Sequence, residues 1–211
     1  MEKTRFRSAA VGDIPRILEI IRQAQRRMAA AGSQQWQDGY PALDDIAADV
    51  ARACGYVLCR TDEAAEEATM KTAGEAAGHT NAESGSGENR PEKGNRKEEP
   101  IVAYGAILFN GEPTYAEIRG AWLTDGPYVV VHRLAVADEA LGHGLGTEFL
   151  RHAARLALER GIRAFRIDTN FDNHRMLRIL AHNGFTRCGT IRCRSGQREA
   201  FEKILLLEAA D

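Results

Sequence analysis

Leu141-Gly142-His143-Gly144-Leu145-Gly146-Thr147 sets glycines at alternate positions between an apolar run and a helical pattern. Upstream, Val129-Val130-Val131-His132-Arg133-Leu134-Ala135-Val136 is β-branched and largely apolar, which predicts a strand. From Leu145 onward, Phe149, Ala153, Leu156 and Ala157 recur at helical spacing, and Gly161 supplies a stop. The glycines therefore occupy the first turn of a helix, where backbone N–H groups lack intrahelical partners and the dipole favours an anion. Lacking Cβ atoms, they let a phosphate approach the main chain. On this segment alone, a tightly packed strand-to-helix turn accounts for the glycines equally well.

Two nucleotide motifs fail here. A P-loop needs Lys and then Ser or Thr after its last glycine, and Thr147-Glu148 stands there instead. A dinucleotide fingerprint has unequal glycine steps, whereas Gly142, Gly144 and Gly146 are evenly spaced, although Asp168 lies near the distance of its acidic residue. Farther on, Ala164–Asn170 alternates like a strand, with Phe165 and Ile167 on one face. Asp172 or Asn173 can cap the next helix, whose apolar face is Met176, Leu177, Ile179 and Leu180. Asn183-Gly184 suits its C-terminal cap, and Phe185 opens a strand-like stretch through Ile191.

Taken in this order, the segments resemble the GNAT acetyltransferase superfamily. Its signature couples a Gln/Arg-x-x-Gly-x-Gly/Ala turn with an Asn-led helix that ends in Gly-Phe. Here these are Leu141-x-x-Gly144-x-Gly146 and Asn173-x-x-Met176 running to Gly184-Phe185. The resemblance spans most of residues 5–60 and 101–207. Trp36-Gln37-Asp38-Gly39-Tyr40-Pro41, Ile167-Asp168-Thr169 and Arg198-x-Ala200-Phe201-x-Lys203 are similar to a bacterial subgroup within it. The resemblance implies an α/β (α+β) fold: a mixed, mostly antiparallel sheet of about six or seven strands flanked by helices. It implies an acetyl-CoA-dependent N-acetyltransferase that moves an acetyl group to a primary amine by direct attack in a ternary complex. In such enzymes the backbone of the Leu134, Ala135 and Val136 equivalents pairs with the pantetheine arm as one strand adds to another. Amides of Gly142, His143, Gly144, Leu145, Gly146 and Thr147 would hold the pyrophosphate, and Asn173 would face the cofactor.

Two positions depart from the family pattern. Leu141 stands where Gln or Arg is usual, which leaves a cradle of backbone rather than side chain. Leu180 stands where many members carry a Tyr that protonates the leaving thiolate. The acid is then Tyr128, His182 or water, or the thiolate departs unassisted.

An amine is mostly protonated at neutral pH, so transfer needs a base or a desolvating pocket. Asp168, at the end of its strand, matches a catalytic Glu of some members; it can equally be an Asp bonded to a neighbouring loop or to the Thr169 amide. His132 shares strand parity with Leu134 and Val136, and serves either as a base acting through water or as a structural histidine. A backbone N–H near Leu134 or Ala135 would polarise the carbonyl, as the family does by splaying two strands. Trp36 and Tyr40 border the acceptor site in related folds, or anchor their loop on the core. Trp122, Tyr128 and Arg198 are further candidates of that kind. Arg151, Arg155, Arg175 and Arg178 either meet the adenosine phosphate or form solvated helix faces.

With 211 residues, 44% of them hydrophobic, the chain can form one well-cored domain over residues 1–211. A net charge of −2 gives no reason to expect nucleic acid as a partner. No apolar run approaches the ~20 residues that span a membrane, and no signal-peptide core opens the chain, so a cytoplasmic protein is expected. Cys54, Cys59, Cys188 and Cys193 lack C-x-x-C spacing and read as free thiols rather than metal ligands, so no metal is expected.

Phe6–Ala9 reads as a first strand, and Asp13 and Pro15 as the start of a helix continuing to Met28. A second helix is predicted over Leu43–Ala53 and a strand over Tyr56–Arg60. Residues 62–99, rich in Glu, Ala, Gly, Lys and Ser, read as an acidic, disordered insertion, with a nascent helix over Thr61–Lys71. Ile101–Phe109 is a strand, Asn110-Gly111 a hairpin turn and Thr114–Trp122 its partner. Phe201–Leu207 closes the sheet. The partner is a small-molecule or peptide amine, and the chain could act as a homodimer. The competing reading is a non-catalytic acyl-CoA-binding module, which Leu180 keeps open.

Overall fold

The computed structural model describes residues 3–61, 99–193 and 196–206. The expected acidic insertion, apart from residue 99, and the nascent helix beyond Thr61 lie outside these residues. Among the described residues, eight strands form one sheet: β1 (Thr4–Ser8), β2 (Gly55–Arg60), β3 (Ile101–Phe109), β4 (Arg119–Gly120), β5 (Tyr128–Val136), β6 (Ala164–Thr169), β7 (Thr186–Cys193) and β8 (Gly196–Ile204). Their order is β1-β2-β3-β5-β6-β8-β7-β4, and every pairing is antiparallel except β5 with β6. The mixed, mostly antiparallel sheet is as expected. The count exceeds the expected six or seven by the two-residue β4, too short to carry a periodic signal.

Among the described residues, four helices accompany the sheet: α1 (Ile14–Ala30), α2 (Leu43–Ala51), α3 (Leu145–Glu159) and α4 (His174–His182). The helical spacing of Ile17, Ile20, Ile21 and Ala24 in α1, and of Phe149, Leu150, Ala153 and Ala157 in α3, buries both stripes in one core. Val129 and Val131 reach into that core, while Val130 between them joins a smaller cluster with Tyr115, Ile191 and Ala200. The period-two geometry of β5 thus separates two faces. Gly105 in β3 allows α3 to come close, because a Cβ there would lie 2.7 Å from the Phe149 ring. No helix among the described residues is long and apolar enough to cross a membrane.

Two local expectations are corrected. Asn110 and Gly111 do take positive φ values of 62° and 82°, as a tight turn requires. The returning strand is β5, however, not residues 114–122: the Tyr128 N–H donates to Asn110 Oδ1 at 2.9 Å. Pro113 opens a 3₁₀ turn (Pro113–Glu117) whose preceding residue, Glu112, accepts from the Thr114 hydroxyl at 2.8 Å. This places Tyr115 in the second cluster, and only Arg119–Gly120 extends, against β7. Asp13 precedes α1 but does not cap it with its side chain; its carboxylate turns back to the Ala10 N–H at 2.7 Å and to Arg7.

Candidate active site

β5 and β6 are hydrogen-bonded over only three rungs, Tyr128↔Ala164, Val129↔Phe165 and Val130↔Arg166. Beyond Val130 the strands part, although β5 stays paired with β3 as far as Val136. Its β6-facing backbone groups over residues 132–136 therefore have no strand partner, and a polar backbone edge in a cleft invites an extended ligand. The divergence coincides with a bulge. Ala106 pairs with His132 and Tyr104 with Ala135, so Arg133 and Leu134 together oppose Gly105. Arg133 adopts φ 57°, uncommon for a residue with a side chain. The extra residue also breaks the alternation that would align His132 with Leu134 and Val136. Those two pack against the main core, while His132 reaches Glu112.

A cleft of about 1200 Å³ opens from this gap. One wall is Leu134, Ala135 and Val136 with the glycine turn. Gly142 and Gly144 have φ 89° and 78°, and Gly144 begins α3 with no side chain capping it. The first amides of α3 are thus left for a ligand, and an anion is the species they favour. Gly146 abuts Ile179 of α4, where an added Cβ would come within 3.2 Å. Leu141, Leu145 and Thr147 line the cleft; His143, in the same turn, does not. Arg175 and Arg178 line it as well, whereas Arg151 and Arg155 do not. Asn173 lines the cleft, but both ends of its amide are engaged: Oδ1 accepts from the Met176 N–H at 3.1 Å, and Nδ2 donates to Gln35 Oε1 at 2.9 Å. Its neighbour Asp172 accepts instead from Ser33 Oγ and the Gln34 N–H, tying the loop after α1 to the start of α4.

The other end of the cleft is made of paired charges. Arg133 forms a bidentate pair with Asp49 (Nε–Oδ2 2.7 Å, Nη2–Oδ1 2.5 Å), and its Nη1 donates to the Tyr40 hydroxyl at 2.6 Å. Tyr104 donates to the same carboxylate at 2.5 Å. Burial pushes the Tyr104 hydroxyl far up, and the Asp49 charge adds to it; burial likewise raises Tyr40 against the opposing pull of Arg133. Trp36 and Tyr40 both line the cleft, Trp36 as a buried anchor at 8% exposure.

Asp168 and His132 each lie two residues past the last rung, Val130↔Arg166, one on each lip of the gap. Asp168 accepts from the Tyr115 hydroxyl at 2.8 Å and from Arg198 Nη1 at 2.9 Å, with its side chain 3% exposed. Burial, followed by that negative charge, raises the Tyr115 hydroxyl well above its ordinary range. His132 Nε2 lies 3.0 Å from Glu112 Oε2, and this close contact is the main reason the Glu112 carboxyl is lowered to about 2.

Of the acid candidates, His182 stands at the rim with Nδ1 2.8 Å from the Arg178 carbonyl. Tyr128 belongs to the second cluster, and Arg166 lies 4.4 Å from the ring centres of both Tyr128 and Trp122; neither aromatic lines the cleft. Arg198 does. Leu180 is fully buried in the main core. No group of three metal-ligating side chains occurs among the described residues.

Sequence reasoning missed Asp49, Glu112, Tyr115, Arg133 and Gln35. Two had a local signal: Asp49 follows Ile46 by three residues on the apolar face of α2, and Glu112-Pro113 is a helical-turn start. The others acquire their meaning from partners distant in sequence.

The family model for the acetyltransferase (GNAT) family matches residues 33–185, a stretch holding the glycine turn, the divergent strands and the Asn173-capped helix. The chain belongs to the GNAT acetyltransferase family. A GNAT-family acetyltransferase from Streptococcus agalactiae is 26% identical, with 95% of each chain covered and a TM-score of 0.71. YncA from Salmonella typhimurium, solved with its cofactor acetyl-CoA, is 16% identical over 99% of this chain and 98% of its own, with a TM-score of 0.53. A ribosomal-protein-alanine N-acetyltransferase from Brucella melitensis is 17% identical over 95% and 99%, with a TM-score of 0.54. No protein with a curated description matches the sequence. The protein is an acetyltransferase of this family, and the acyl donor of the family is acetyl-CoA. The uncapped glycine turn, which favours an anion, and the unpaired edge of β5, which favours an extended polar chain, have the chemistry to fit such a donor.

Proposed function

We propose that this GNAT protein transfers the acetyl group of acetyl-CoA to a primary amine by direct attack within a ternary complex, in the cytoplasm. The observation that carries the reading is the gap between β5 and β6, which ends its pairing at Val130 with the glycine turn at its mouth. Leu134, Ala135 and Val136 hold the pantetheine arm by backbone, and the amides from Gly142 to Thr147 hold the diphosphate. A β5 amide near Leu134 polarises the thioester carbonyl. Asp168 and His132, on the two lips, attract the acceptor's ammonium and take its proton. Trp36 and Tyr40 form the acceptor wall, which suits a small amine with an apolar part.

Thiol release measured with a panel of amines tests this. The panel includes small amines, amino acids and a peptide with a free N-terminal alanine, because the Brucella protein similar in fold is named for ribosomal-protein alanine. The wild type is expected to release thiol with a small amine, and Asp168→Asn to slow it by about tenfold or more. Thiol release with the peptide alone would make it a protein acetyltransferase. One feature favours a second reading, a non-catalytic acyl-CoA-binding module: Leu180, fully buried, stands where the family resemblance implies a Tyr that protonates the leaving thiolate. Tight acetyl-CoA binding with no thiol release for any amine would establish that reading instead.

A further inference from the structure

The 3₁₀ turn after the Asn110-Gly111 corner supplies a partner to each lip of the gap. Glu112, just before the turn, meets His132, and Tyr115, three residues on, meets Asp168. The two partnerships differ in kind. Both oxygens of Asp168 already accept hydrogen bonds, one of them from the Arg198 guanidinium. His132 meets an anion through one nitrogen only. Its Nε2 is buried and lies 3.0 Å from Glu112 Oε2, but the contact is not aligned as a hydrogen bond here and Nε2 has no hydrogen-bond partner among the described residues. An ionised carboxylate only accepts, so once Nε2 aligns with Glu112, as catalytic contacts do on substrate binding, a neutral imidazole carries its proton on Nε2 and its lone pair on Nδ1. Glu112 is itself held by Thr114, whose hydroxyl donates at 2.8 Å. His132 also lines the cleft, on the lip opposite Asp168.

We propose that Glu112 is the positioning residue that makes His132 the proton acceptor for the incoming amine. The inference rests on the acetyltransferase reading. The ammonium of the acceptor gives one proton to His132 Nδ1. The freed nitrogen lone pair forms a bond to the thioester carbonyl carbon, and the C–S bond breaks with its electron pair on sulfur. One of the two protons lost by nitrogen ends on sulfur, returned from the imidazolium, and the other leaves to solvent. Amine and thioester thus become amide and thiol, and Glu112 holds the ring's orientation and balances its charge throughout.

The test is a double-mutant cycle on the full chain, combined with an imidazole ¹⁵N spectrum. Glu112→Gln is expected to lower kcat by about tenfold or more while the calorimetric Kd for acetyl-CoA stays within about twofold. Glu112→Asp, which keeps the carboxylate, recovers part of the rate and serves if Glu112→Gln does not fold. In a His132→Gln background, adding Glu112→Gln costs nothing further. In the spectrum, neutral His132 carries its proton on Nε2. Wild-type kcat in Glu112→Gln, or losses that multiply in the double variant, would overturn the proposal. An Nδ1-protonated ring would overturn it whatever the activity. Absence of thiol release by the wild type with every amine would instead overturn the acetyltransferase reading, and the spectrum would still report on the pair.

Discussion

The two ends of the cleft are built by different means. At the glycine turn, the surface offered to a ligand is main chain: the uncapped first turn of α3 and the free edge of β5. Around His132, Arg133 and Asp168 it is side chain: Arg133 pairs with Asp49, Arg198 with Asp168, and His132 faces Glu112, each partner coming from another element. Backbone groups have their position set by φ and ψ, so a turn of suitable residues is enough to aim them. Charged side chains in a buried wall must be matched one to one, because an unpaired buried charge is costly. Substitutions at the first end should therefore act on binding, and those at the second on folding as well.

Asp49→Ala is the sharpest way to break this contrast. It leaves the Arg133 guanidinium and the Tyr104 hydroxyl without their shared acceptor, in a place where Asp49 is 2% exposed. The expected loss is about 3–5 kcal/mol of folding stability, read by urea denaturation. Gly144→Ala should cost less, about 1–2 kcal/mol, because a Cβ there meets nothing within 4 Å and only the left-handed φ of 78° is strained. Its larger effect should be on acetyl-CoA affinity, measured by calorimetry. If the two variants lost equal stability while acetyl-CoA affinity held in Gly144→Ala, the contrast would collapse.

The smallest effect concerns pH. The Glu112 carboxyl is lowered to about 2, chiefly by its close contact with His132. A depressed carboxyl contributes stability that is fully present above its unfolded value, about 4, and is lost as pH falls toward 2. Because the pair is partly exposed, the contribution is on the order of 1 kcal/mol. Acid titration of the wild type followed by circular dichroism should show this loss, and Glu112→Gln should lack that increment. An unchanged acid limb in the variant would mean that the pair adds nothing to the fold.

Much of the framework was legible in order of elements. β5, α3, β6 and α4 follow from periodicity, glycine stops and an Asn cap, and each appears within a residue or two of where its pattern predicts. The hairpin after Phe109 was misread because Asn110-Gly111 signals a turn without naming the strand that returns. Pro113 and the burial of Tyr115 divert the chain before β5 takes that place. Parity along β5 was misread for a similar reason: a bulge needs no glycine when a tertiary ion pair anchors it. Here Arg133 adopts its positive φ while bonded to Asp49, 84 residues away in sequence.

The sequence by itself determined the glycine turn: Gly142 and Gly144 permit the left-handed φ values of 89° and 78° that carry β5 into α3, and that is a local property. It also narrowed the start of α4 to a cap by Asp172 or Asn173; the structure uses Asn173, whose Oδ1 accepts from the N–H three residues ahead, while Asp172 is taken by Ser33 and Gln34. The tertiary structure alone decided what stands across from the cradle. Asp168 finds Arg198 because β8 lies beside β6, while Tyr115 and Glu112 reach Asp168 and His132 from the turn after β3, and Asp49 reaches Arg133 from α2. Burial then requires those charges to be matched, and such matching depends on proximity in space, which no spacing along the chain encodes.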